Sequence, residues 1–119
     1  MWLFDTVSPM KRKSTTMESL CSRKLKVLAD QSRLAVMELL MEGPKHVWEL
    51  NAMLKLDQSL LSHHLKILRR EGFVKSSRSG KAVLYQLAPG IEVPRSLKAI
   101  NLGCCLLSFE QKSRRKRTA

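Results

Sequence analysis

Residues 57–72 read DQSLLSHHLKILRREG, and the reading of this stretch decides the rest. Asp57 offers an N-cap carboxylate that can accept a hydrogen bond from a free amide of the first turn. Arg69 and Arg70 fall in the last turn, where cations suit the helix dipole, and Glu71-Gly72 supplies a stop. Leu61, Leu65 and Leu68 recur at helical spacing and make one apolar face. The opposite face carries Ser59, Ser62, His63, Lys66 and Arg70, with short hydrogen-bonding side chains near the tip and cations further along. A helix entering a DNA major groove needs base-edge partners at its tip and phosphate partners along its flank. An ordinary amphipathic surface helix has the same outline, so the flanking sequence must choose.

Upstream, Lys55-Leu56 makes a tight connection to a short helix over residues 47–54, with Trp48, Leu50, Met53 and Leu54 expected in the core. Two helices joined by a short turn, the second polar at its tip, form a helix-turn-helix. Before them, a first helix runs from residue 14 or 15 to 28, with Met17, Leu20, Cys21, Leu25 and Leu28 as its stripe and Thr15 to Glu18 as a capping box. Asp30 caps a second helix that runs to residue 42, with Leu34, Met37, Leu40 and Met41 inward, and Gly43-Pro44 closes it.

Downstream the period changes to alternation. Residues 73–78 and 81–87 read as two strands joined at Ser79-Gly80, a hairpin whose Lys75, Arg78 and Lys81 lie beside the polar helix. Pro94 suits the first position of a fifth helix over residues 93–109, where Leu97, Ile100, Cys104 and Leu107 make a heptad-like seam. The expected fold is mainly α with a small β-hairpin (α+β): a winged helix-turn-helix with an extra helix at each end. Residues 1–13 are expected to be a flexible arm, 14–110 the DNA-binding and dimerisation domain, and 111–119 a basic disordered tail.

The net charge is +12 and the isoelectric point about 10.2, so a polyanion is the first partner to consider. Part of that excess sits in the tail, at Lys112, Arg114, Arg115, Lys116 and Arg117. Residues 55–81 hold Lys55, Lys66, Arg69, Arg70, Lys75, Arg78 and Lys81 against Asp57 and Glu71, which places charge on the helix and hairpin themselves. No apolar run approaches a membrane span and no cleavable leader is apparent, so a cytoplasmic protein is expected. Three cysteines in a reducing compartment argue against a disulfide framework, leaving core fillers or a reactive or ligating set. An acidic pair, a nucleophile with its base, or a phosphate-cradling glycine loop would mark an enzyme; none is seen, and no catalytic cofactor is expected.

LKVLADQSRLAVMELLMEG, SLLSHHLKILRREGFV and SGKAVLYQL, in that order, resemble the ArsR/SmtB family of bacterial repressors over about residues 25–87. The resemblance implies a homodimer closed by the first and fifth helices, with Leu20, Leu97, Ile100 and Leu107 at the interface. It also implies a palindromic double-stranded operator, released when an effector binds. On the matching helix and wing, Gln58, Ser59, Ser62 and His63 are expected to read bases, and Lys66, Arg69, Lys75, Arg78 and Lys81 to touch phosphate. His64 matches a recognition-helix histidine that packs and hydrogen-bonds.

The family's third-helix thiolate site is missing, since His46 and Trp48 stand at its positions. Its fifth-helix zinc site lacks histidines here, so zinc is not expected. Cys21, Cys104 and Cys105 remain, all on the two helices implied to dimerise. Three soft thiolates suit trivalent arsenic or antimony, the favoured effector; oxidation or persulfide chemistry on the same thiols competes with it. Of another class is a winged-helix RNA-binding or protein-interaction module held to RNA by its basic tail, for which Ser59, Ser62 and His63 are dispensable.

Overall fold

The computed structural model describes residues 17–94 and 97–109. The capping box at Thr15, the N-terminal arm, and the basic tail lie outside the described residues. Four helices come first apart from one short strand: α1 (Met17–Leu28), α2 (Gln31–Leu40), β1 (Lys45–His46), α3 (Val47–Leu54) and α4 (Gln58–Arg70). Then follow β2 (Val74–Ser79), β3 (Ala82–Leu87), β4 (Ala99–Asn101) and β5 (Leu106–Ser108). The winged-helix class is therefore as read, and α3 has the expected bounds.

Each join has a local cause. Asp30 is extended and its carboxylate accepts from the amides of Ser32 and Arg33 at 2.9 and 3.1 Å, which starts α2. Asn51 Nδ2 donates to the Leu56 carbonyl at 2.7 Å across the turn between α3 and α4, where Lys55 takes a left-handed φ of 55°. At the end of α4, Gly72 adopts φ 85°, and the Phe73 amide closes back on the Leu68 carbonyl at 2.9 Å. That stop drives Phe73 and Val74 into the core and leaves the chain extended for β2. The wing pairs Val74 with Leu87 through to Ser79 with Ala82, so the turn is Gly80-Lys81, one residue later than expected. β1 joins the other side of β3, giving a three-stranded sheet in the order β1-β3-β2.

Leu61, Leu65 and Leu68 from α4 meet Val36, Met37 and Leu40 from α2 and Leu50 from α3 in one core. Trp48 and Met53, expected inside, are instead 65 % and 52 % exposed, because only Leu50 of that helix points fully inward.

The fifth helix is absent among the described residues. Its stretch forms the antiparallel pair β4-β5, with Ile100 opposite Leu107. Asn101 and Gly103 decide this: the Asn101 side chain accepts from the Gly103 amide at 2.8 Å, and Gly103 takes φ 93°, which only glycine adopts without strain. The Leu102 amide then donates to the Cys105 carbonyl at 2.9 Å and closes the turn. The heptad-like seam does not survive. Ile100 is wholly buried in its own chain's core, Leu107 packs partly against that core, and Leu97 is 53 % exposed. Leu20 on α1 is exposed.

Candidate nucleic-acid interface and thiol cluster

The polar face of α4 is presented as its periodicity requires. Gln58, Ser59, Ser62, His63, Lys66 and Arg69 are all exposed, while Leu61, His64, Leu65 and Leu68 are buried. Asp57 stands at the N-cap and accepts from the Ser59 hydroxyl at 2.5 Å. That bond, with the Leu60 and Ser59 amides, holds the Asp57 carboxyl below the usual carboxylate range. Ser59 is thus engaged at the helix start, whereas Ser62 and His63 face solvent. Lys75, Arg78 and Lys81 are exposed along the wing. Arg69 reaches Ser76 of β2 at 3.5 Å, tying helix to wing. Between them lies a groove of about 530 Å³, lined by Gln58 and Ser62 on one side and Lys81 and Tyr85 on the other, with Trp48 and Asn51 at its end.

What holds α4 in place was only partly visible in the sequence. Arg33 donates through Nε to His64 Nδ1 at 3.1 Å and through Nη1 to the Val27 carbonyl at 2.9 Å. One guanidinium therefore joins the end of α1, the start of α2 and the buried side of α4. His64 Nε2 faces Asp30 at 3.9 Å. Burial pushes the His64 ring down from its ordinary value, with the Arg33 charge adding to the effect and Asp30 opposing it. Burial pushes Asp30 up, but the Arg33 and Ser32 amides and the neighbouring cations outweigh it and leave that carboxyl low.

A pH dependence follows. Because the folded His64 resists a proton that the unfolded ring accepts near pH 6.5, its contribution is intact above that pH and is lost as pH falls below it. The slope for one proton is at most about 1.4 kcal/mol per pH unit. His64→Gln, which can still accept from Arg33, is expected to flatten the pH 7 to 5 branch of a urea-stability profile. Asp30, Asp57, Glu49 and Glu71, all held low, act in a separate window near and below pH 4. An unchanged profile in the variant would place the titrating group elsewhere.

The three cysteines meet where α1 approaches the β4-β5 turn. Cys21 and Cys104 form a disulfide across 83 residues of sequence, correcting the expectation of an unbridged set. Cys105 carries the remaining thiol, exposed, with Sγ 3.9 Å from Cys21 Sγ and 3.8 Å from Cys104 Sγ. All three sulfurs lie within 4.8 Å of one another. Two of them come from the β4-β5 turn rather than from a helix, and the turn brings both beside Cys21. Lys24 fixes the approach by donating to the Leu102 carbonyl at 3.1 Å. Two residues past Cys21, Arg23 makes a two-point pair with Glu71, the C-cap of α4, at 3.1 and 3.3 Å. The Arg23 hydrogen bond and charge hold the Glu71 carboxyl low. The cluster and the end of α4 are therefore attached to the same short piece of α1.

Comparison with known proteins gives a consistent result. Residues 30–76 match the profile of the bacterial regulatory protein, arsR family. The transcriptional activator HlyU of Vibrio cholerae is 39% identical over 64 residues, covering 54% of this chain and 59% of that protein. The arsenical resistance operon repressor of Escherichia coli K12 is 40% identical over 67 residues, covering 56% of this chain and 57% of that protein. The chain thus spans somewhat over half the length of these curated relatives. The solved structure of HlyU superposes with a TM-score of 0.58 at 35% identity, over 60% of this chain and 77% of that one. The homodimeric winged helix-turn-helix DNA-binding domain Mb0332 of Mycobacterium bovis superposes with a TM-score of 0.56 at 26% identity, over 60% and 67% of the two chains. Among the described residues no helix is long and apolar enough to cross a membrane. With its helix-turn-helix, its wing and these relatives in agreement, the chain belongs to the ArsR family of bacterial transcriptional regulators.

Proposed function

We propose that this protein is a cytoplasmic, homodimeric repressor that binds a palindromic DNA operator through α4 and the wing. Trivalent arsenic or antimony at Cys21, Cys104 and Cys105 is its releasing signal. The observation that carries the first half is the continuous exposed face running from Gln58, Ser62 and His63 to Lys75, Arg78 and Lys81. Residues that read bases and residues that neutralise phosphate lie in the order a duplex requires. The second half rests on three sulfurs within 4.8 Å of one another, the donor set a thiophilic trivalent ion takes. In the reduced protein, uptake follows As(OH)3 + 3 RSH → As(SR)3 + 3 H2O. The name of the Escherichia coli relative, an arsenical resistance operon repressor, points the same way.

The dimer of the Mycobacterium bovis domain supports a dimer here, with the exposed Leu20, Leu25 and Leu106 as the apolar surface available to it. Cys21, Arg23 and Glu71 give the signal a short route. A metalloid that ties Cys21 to the β4-β5 turn fixes where α1 sits, and Arg23 passes that constraint to the end of α4.

The test is release from DNA by arsenite. Fluorescence anisotropy with selected operator duplexes is expected to show tight binding by the reduced protein and its loss on adding sodium arsenite. Cys21→Ser, Cys104→Ser and Cys105→Ser are each expected to keep DNA affinity within about threefold and to raise the arsenite needed for release more than tenfold. Equal release in all three variants would remove the cysteines from the sensor. Binding driven by the basic tail, with no preference among duplexes, would instead favour the RNA-binding module.

A further inference from the structure

We infer that the three-cysteine cluster is gated by oxidation, with the Cys21–Cys104 disulfide and the metalloid as mutually exclusive occupants of one site. This rests on the metalloid reading above and adds a second input to it. Two of the three ligand sulfurs are consumed in the disulfide, and only Cys105 keeps a thiol. A single thiol cannot chelate, so the advantage of three donors held at high effective concentration is lost when the bridge closes. The placement also divides the labour among the cysteines. Cys21 and Cys104 serve both chemistries, while Cys105 serves the metalloid and is not required to form the bridge.

The oxidation is a two-electron step with a peroxide as oxidant. A thiolate of the pair attacks a peroxide oxygen, giving a sulfenic acid and releasing water once the leaving hydroxide is protonated. The second thiol then attacks that sulfur, forms the S–S bond and expels a second water. In sum, 2 RSH + H2O2 → RSSR + 2 H2O. Cys105 lies 3.9 and 3.8 Å from the two bridged sulfurs, close enough to attack either one. Such exchange moves the bridge without changing its redox state, and any bridge among the three leaves one thiol.

The experiment uses the full-length protein, reduced or treated with a slight excess of hydrogen peroxide. The disulfide is mapped by mass spectrometry of a non-reducing digest, and arsenic uptake from sodium arsenite is measured by equilibrium dialysis. The reduced protein is expected to take up about one arsenic per chain. The oxidised protein should take up at least tenfold less at the same free arsenite, and a phosphine reductant should restore uptake. Cys105→Ser is expected to form the Cys21–Cys104 bridge normally with peroxide, yet to bind arsenite at least tenfold more weakly when reduced.

Equal uptake by reduced and oxidised protein overturns the gate and leaves the metalloid reading standing. No uptake by the reduced protein sinks the metalloid reading and the exclusion with it. Failure of Cys105→Ser to form the bridge would overturn the division of roles, since Cys105 would then be the attacking thiol.

Discussion

Ile100→Glu is expected to unfold this protein. Ile100 is wholly buried among the core residues of its own chain, on a strand paired with β5 and bridged to Glu92. A carboxylate placed there is cut off from water, and an uncompensated buried charge costs roughly 3–5 kcal/mol. That is a large part of the 5–15 kcal/mol by which domains of this kind are stable, so the unfolded fraction at 37 °C should rise steeply. Leu97→Glu, at a position already 53 % exposed, is the control and should shift stability by no more than about 0.5 kcal/mol. Urea titration followed by far-ultraviolet circular dichroism reads both. A folded, monomeric Ile100→Glu protein would mean that residue 100 faces a partner chain, and would restore a fifth helix.

The contrast between residues 57–72 and residues 93–109 shows where sequence pattern suffices. In α4 the N-cap position, the leucine stripe, the terminal arginines and the glycine stop all favour one structure, and helix, bounds and exposed face are as read. In the C-terminal stretch the signals conflict. Leu97, Ile100, Cys104 and Leu107 have helical spacing, but Asn101 and Gly103 between them have turn chemistry. One bond from the Gly103 amide to the Asn101 side chain, together with a left-handed glycine, outweighs a spacing that four residues can show by chance. Asn-x-Gly inside a presumed helix was the signal that could have shown this. β1 is two residues long and pairs only through Tyr85 and Leu84, so no local pattern announces it. The three cysteines do lie together, but not by the route the sequence suggests: proximity comes from a turn folding back on α1, not from two helices meeting. Arg33 and Arg23 are tertiary devices. Their partners lie 31 and 48 residues away, and nothing in the local sequence names them.

Ser62→Ala with His63→Ala is expected to abolish most discrimination between operator and random duplex while leaving the fold intact. Both side chains are exposed on the outer face of α4, so neither truncation opens a cavity or strands a buried polar group. Each good base-edge contact contributes about 1–3 kcal/mol of discrimination. Losing two should therefore reduce the specificity ratio by roughly 30-fold to 10⁴-fold if the effects add. Ser59 is left out because its hydroxyl is already committed to Asp57. Arg78→Ala, on the exposed flank of the wing, should behave differently. Removing one phosphate contact weakens operator and random duplex alike and lowers the slope of log affinity against log salt by about one unit. The two variants thus separate base reading from phosphate anchoring in one set of anisotropy titrations at several salt concentrations. If the double variant kept its discrimination, α4 would not lie in the major groove. The exposed face between helix and wing would then need another partner, with single-stranded RNA the first to try, given the net charge of +12.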